Sequence, residues 1–159
     1  MLGSTFAFVK TMQMKKEIIT EIVLNASAGQ VWNVLTDFNR YHEWNPFLIE
    51  SRGEAIAGTR LENTMLNGDK KMKFKPQILT VEMNHYFDWL GHLFIKGLFD
   101  GHHYFRIVPI NEHQVKLIHG EDFSGILSGW VLGKIGDQTR ENFVRMNMAL
   151  KLRLESMQK

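Results

Sequence analysis

Residues 26–47, ASAGQVWNVLTDFNRYHEWNPF, decide the fold. Val31, Trp32, Val34 and Leu35 supply the apolar residues of a short helix over about Ala28–Thr36. Ser27 stands where an N-cap is needed, since its hydroxyl can accept from a free backbone N–H of the first turn. Phe38–Tyr41 forms a second, shorter turn. Pro46 ends it, because the residue before a proline avoids helical geometry. Two short helices therefore sit between a strand at about Lys15–Leu24 and a strand at about Phe47–Glu54.

Outward from this segment the chain alternates strands and turns. Strand three is expected over Arg60–Met65, and Asn67-Gly68-Asp69 is a hairpin signal. Strand four is expected over Lys71–Val81, with Pro76 requiring an edge or a bulge in its middle. Strands five to seven follow over Tyr86–Leu93, Phe99–Pro109 and Gln114–Phe123, with Asp100-Gly101 read as a turn or bulge. A long helix closes the chain from about Ile126 to Met157, its second half carrying Phe143, Met146, Leu150 and Leu154 at helical spacing. Gly125, Gly129, Gly133 and Gly136 crowd its first half. Glycine weakens a helix by roughly 1 kcal/mol per site. Either the helix breaks near Gly136, or a bare face packs closely on the sheet or leaves room for a ligand. The class is α+β with an antiparallel sheet.

Composition narrows the function. With 159 residues the chain fits one domain, expected over 15–157, with residues 1–14 a disordered tail. A net charge of +2 gives no grounds for a nucleic-acid partner. Lys70, Lys71, Lys73 and Lys75 interleave with Met72 and Phe74, as on a strand with one wet and one dry face. No cysteine is present, which removes thiol nucleophiles and zinc–thiolate sites and fits a cytoplasmic location. No stretch is long enough to span a bilayer, so stable membrane insertion is not expected.

The order of elements around residues 26–47 resembles the opening of SRPBCC domains, the START and pollen-allergen type helix-grip fold. Trp89-Leu90-Gly91, Gly97-Leu98-Phe99-Asp100-Gly101-His102-His103 and His119-Gly120-Glu121-Asp122-Phe123-Ser124-Gly125 resemble its polyketide cyclase/dehydrase-like branch, as does the final helix with Thr139-Arg140 and Phe143–Leu150. The resemblance implies a seven-stranded curved antiparallel sheet wrapped around the C-terminal helix, with a ligand cavity between them. It does not imply one reaction. It also places Trp44 and Trp130 at opposite rims of the cavity mouth.

Strand alternation sorts the polar residues by face. Val115, Leu117, His119, Glu121 and Phe123 share one face of strand seven, and His103 shares the apolar face of strand six with Phe105 and Ile107. His103, His119 and Glu121 are thus candidates for a polar cluster in an apolar cavity. It could perform acid/base catalysis, anchor the polar end of a ligand, or tie the strands together. Two histidines and one carboxylate could also suit a metal, but close ligand spacing is lacking, and neither metal nor cofactor is expected. Trp44, Phe74, Trp89, Phe105, Phe123 and Trp130 are the candidate ligand contacts, and nine methionines suit an adaptable pocket. The leading expectation is a small hydrophobic partner (lipid, polyketide-like or aromatic), bound by a monomer or homodimer. A small cyclase or dehydratase and a co-chaperone-like interaction module are the alternatives.

Overall fold

The structure is a computed structural model that describes residues 16–93 and 95–158. The expected N-terminal tail lies outside the described residues. Strands β1 (Lys16–Leu24), β2 (Leu48–Arg52), β3 (Glu62–Asn67), β4 (Lys70–Phe74), β5 (Gln77–Glu82), β6 (Tyr86–Leu93), β7 (Phe99–Asn111) and β8 (Gln114–Ser124) form two antiparallel ladders. One has the order β1-β8-β7-β6-β5 and the other β2-β3-β4. Helix α1 (Ala28–Thr36) and a 3-10 helix (Phe38–Glu43) lie between β1 and β2, and α2 (Ser128–Ser156) closes the chain.

The local chemistry of residues 26–47 accounts for their shape. Ser27 Oγ accepts from Gln30 N (3.3 Å) while Gln30 Oε1 accepts from Ser27 N (2.9 Å), a reciprocal cap that starts α1. Tyr41, fully buried, donates its hydroxyl to the Leu35 carbonyl at 2.6 Å and pins the 3-10 turn under α1. Asn45 Oδ1 accepts from both Phe47 N and Leu48 N, each at 2.9 Å, and so launches β2.

The strand count differs from expectation by one, and Pro76 is the reason. The run expected as a single strand divides there: β4 pairs with β3, and β5 pairs with β6. A proline has no N–H to continue a ladder, so the chain changes sheets at that point. Its free carbonyl accepts from Leu61 N at 3.0 Å. Asp100 and Gly101, expected in a turn or bulge, are regularly paired residues of β7.

Helix α2 runs unbroken past Gly136 and lies chiefly over β1 and β8. Phe143, Met146, Leu150 and Leu154 bury its second half against the sheet and α1. The first half packs differently. A side chain at Gly129 would run into Lys16, whereas Gly133 and Gly136 face open space. Among the described residues no helix is long and apolar enough to cross a membrane.

Candidate functional site

A cavity of about 310 Å³ opens between the inner face of β6–β8, the β2–β3–β4 ladder and the first half of α2. Phe47, Leu48, Met65, Met72 and Phe74 wall it on the small-sheet side. Trp89, Phe99 and Phe123 wall it on the large sheet, and Trp130, Val131 and Ile135 on the helix. Its polar lining comprises His103 of β7, Glu121 of β8, Thr139 and Asn142 of α2, Asn67 of β3 and His92 of β6.

Strand register brings the three polar candidates together. His103 stands directly opposite Glu121, and His119 opposite Phe105, so the two histidines are diagonal neighbours on one face. His119 Nε2 lies 2.9 Å from His103 Nε2, and His103 Nδ1 lies 3.5 Å from Glu121 Oε2. Flat rings enclose them. Trp89 stacks on His103 at 4.6 Å and 7°, while Phe105 and Phe143 hold His119 between them at 4.5 Å and 4.1 Å.

Two further residues complete the network. Asn147 Oδ1 is 2.9 Å from His119 Nδ1, and Asn147 Nδ2 donates to Thr20 Oγ1 at 2.9 Å. Thr20 Oγ1 in turn donates to the His119 carbonyl at 3.1 Å. The sequence held one signal for Asn147: it is a polar residue on the apolar stripe of α2, between Met146 and Leu150. Thr20 carried none.

These contacts fix the protons. Thr20 has given its only proton to a carbonyl, so it must accept from the Asn147 amide, which turns Asn147 Oδ1 toward His119. His119 therefore carries its proton on Nδ1. Burial, and after it the neighbouring His103, push His119 well below the ordinary histidine range, so it stays neutral and its Nε2 is bare. Only His103 can donate across the 2.9 Å gap, from Nε2, which leaves His103 Nδ1 bare. Burial pushes His103 down to about 3, and burial lifts the Glu121 carboxyl to about 8. At neutral pH the cluster is two neutral imidazoles beside a protonated acid. The side chain of Glu121 keeps 18% of its surface accessible, on the cavity side, where its residue lines the wall.

Gly101 makes this arrangement possible. A side chain there would collide with Glu121 Oε1, so the bare strand position opposite Phe123 is the space in which the carboxyl lies.

Phe74, Trp89, Phe123 and Trp130 line the cavity. Trp130 does so from the mouth, with 64% of its surface exposed and Lys134 Nζ 4.0 Å from its ring centroid. Trp44 and Phe105 lie off the wall. Trp44 turns its ring edge onto Tyr41 at 5.1 Å, and Phe105 is fully buried in the aromatic stack behind His103. Phe47 and Leu48, just past Trp44, are buried residues of the wall. The histidines and the carboxylate do not converge on one point, because Glu121 faces the His103 nitrogen turned away from His119. Among the described residues no group of three potential ligands could hold a metal ion.

Residues 16–155 match the family model for polyketide cyclase / dehydrase and lipid transport. The chain belongs to that family. Among curated proteins none matches the sequence. Solved structures share the family domain's fold. The Zhui aromatase/cyclase from Streptomyces sp. R1128 superposes with a TM-score of 0.75 at 14% identity, covering 91% of this chain and 96% of that one. A START superfamily protein from Mycobacterium smegmatis gives 0.70 at 19% identity, covering 89% and 98%. Norcoclaurine synthase from Thalictrum flavum, in complex with a transition-state analogue, gives 0.71 at 15% identity, covering 91% and 97%. At these identities the likeness is one of fold.

Proposed function

We propose that this family domain binds a small, largely apolar molecule in the cavity between sheet and helix. The observation that carries the reading is the cavity itself: about 310 Å³, walled by aromatic and aliphatic side chains, with a few polar groups among them. Binding sites for small molecules have this build, an apolar wall for affinity and sparse polar groups for orientation. The methionines Met65 and Met72 on the small ladder give that wall some adaptability. Native mass spectrometry of protein purified from its host tests the reading, with a Val131→Trp variant as control. A co-purifying apolar molecule, lost when the tryptophan fills the space, is expected. Absence of any bound molecule, together with failure to take up added apolar probes, contradicts it.

A cyclase- or dehydratase-like role rests on a separate observation. Glu121 is an acid held protonated near neutral pH, on the cavity wall beside a bare imidazole nitrogen. Such an acid can protonate a leaving hydroxyl or polarise a carbonyl. Glu121→Gln that binds ligand and has lost turnover supports this reading; turnover unaffected by the substitution removes it. The outer face of α2 exposes Val144, Met148 and Leu152 at four-residue spacing, a surface through which an interaction module could act. Nothing there specifies a partner.

A further inference from the structure

The hydrogen-bond chain behind the cavity runs one way. Beginning at its far end, the Thr20 proton points to a backbone carbonyl, the Asn147 amide points to Thr20, His119 Nδ1–H points to Asn147, and His103 Nε2–H points to His119. The His103, His119 and Asn147 protons are all directed away from Glu121 toward Thr20 of β1, whose own proton closes the chain on the His119 carbonyl. Two acceptors remain at the near end, the bare His103 Nδ1 and the carboxyl of Glu121, with a single proton between them. The Glu121 proton has one adjacent basic atom, His103 Nδ1, and Oε1 then lies over Gly101 as a free acceptor on the cavity wall. Once an apolar ligand displaces solvent from the cavity, an acceptor without a donor costs free energy, and among the described residues no side chain or backbone N–H donates to Glu121. The ligand has to supply the proton.

We propose that the cavity selects apolar molecules bearing a hydroxyl (an alcohol, phenol or enol), whose O–H donates to Glu121 Oε1 while the Glu121 proton stays directed at His103. This rests on the ligand-binding reading and names the ligand class within it. The opposite wall fits a hydroxyl as well. Asn142 Oδ1 already accepts from Gln138 Nε2 at 3.2 Å, so its amide N–H is the donor left to meet the hydroxyl's lone pair. An acceptor-only ketone or ether would leave Oε1 unpaired. The groups around Glu121 are few. His103 faces it from β7, and His102 acts on it from the outer face of that strand. Ile18 is its pairing partner on β1, Thr139 and Asn142 are the polar cavity residues of α2, and His92 of β6 is held by Asp100.

Three probes of one shape test the proposal: 2-naphthol, 2-methoxynaphthalene and 2-acetylnaphthalene, titrated calorimetrically at pH 6.5. The naphthol is expected to bind about tenfold or more tightly than the other two, the scale of one buried hydrogen bond with its partner otherwise left unsatisfied. Glu121→Gln should keep that preference, because its carboxamide donates to His103 and presents an oxygen in the place of Oε1. Glu121→Leu should bind all three alike. Equal binding of the three by the native protein overturns the proposal while leaving the ligand-binding reading intact. A preference for the ketone that Glu121→Leu abolishes overturns it too, since Glu121 would then be the donor. Failure of all three to bind removes the underlying reading and the proposal with it. Should Glu121→Leu lose its native circular dichroism, the order of the three probes on the native protein and on Glu121→Gln decides.

Discussion

His102 and His103 are adjacent on β7 and belong to different worlds. Alternation along a strand sends them to opposite faces. His102 points outward and places Nε2 2.6 Å from Asp88 Oδ2, a carboxylate that also accepts from Tyr86 Oη at 3.0 Å. The same outer face carries a Tyr104–Glu17 hydrogen bond of 2.7 Å. His103 points inward, is 3% exposed, and meets a stacked indole, a second imidazole and a protonated acid. The outer face satisfies its histidine with a carboxyl partner and leaves a third of its side chain accessible. The inner face satisfies its histidines with neutral, directional hydrogen bonds, because an ion there would forfeit hydration with nothing to replace it.

Substitutions on the two faces should therefore differ in cost. The largest effect is expected at Phe143, whose ring packs on both buried histidines. Phe143→Ala should lose about 3–5 kcal/mol in urea unfolding. A loss below about 1 kcal/mol would mean that the inner stack is not a packed core.

The second test is pH. Glu121 rises from 4.5 to about 8 on folding, so the folded state holds an extra proton in that window and stability falls as pH rises through it. His103 drops from 6.5 to about 3 and His119 drops as well, so stability also falls as pH decreases below 6.5. Between 4.5 and 6.5 the two histidines outweigh the one carboxyl, and the cluster's contribution peaks near 6.5. Scanning calorimetry from pH 4 to 9 should show the alkaline fall, about 2 kcal/mol between pH 6.5 and 8, in the native protein and not in Glu121→Gln. An identical alkaline limb in both proteins would show that Glu121 ionises as a surface acid does.

Asn147 should come next. Asn147→Leu strands the His119 Nδ1–H and removes the donor to Thr20, and should cost about 2–4 kcal/mol by chemical denaturation. Asn147→Asp retains the acceptor for His119 and should recover part of that loss. On the outer face, Tyr104→Phe removes only a part-exposed hydrogen bond to Glu17 and should cost under about 1 kcal/mol. If the two faces responded equally, the distinction between them would fail. The smallest change is expected at Gly133, which faces open space within α2. Gly133→Ala should raise the melting point by the equivalent of about 1 kcal/mol or less.

Much of this contrast could be read from alternation alone. The run Val115, Leu117, His119, Glu121, Phe123 put the histidine and the acid on the dry face, and the Ser27 cap and Pro46 fixed the segment before β2. Pro76 marked the place where a strand could not continue, but a change of sheet and a bulge share that mark. Asn147 escaped notice because one polar residue on an apolar helical stripe is ambiguous until its partner is known, and Thr20 lies 127 positions away along the chain. The cavity wall was legible where strand faces determine it, as at Phe74, Trp89 and Phe123. It was not legible at Trp44, where the ring direction depends on Tyr41, or at Phe105, where depth and not face sets contact. Gly101 is the sharpest miss: in sequence it resembles turn chemistry, and in the fold it is the space a carboxyl occupies.

The claim on which the inner face depends is that Glu121 is an acid held neutral. A ¹³C NMR titration of its side-chain carboxyl, assigned by its disappearance in Glu121→Gln, measures this directly. The structure predicts a midpoint near 8. A midpoint close to 4.5, the ordinary value for a glutamate, would contradict it.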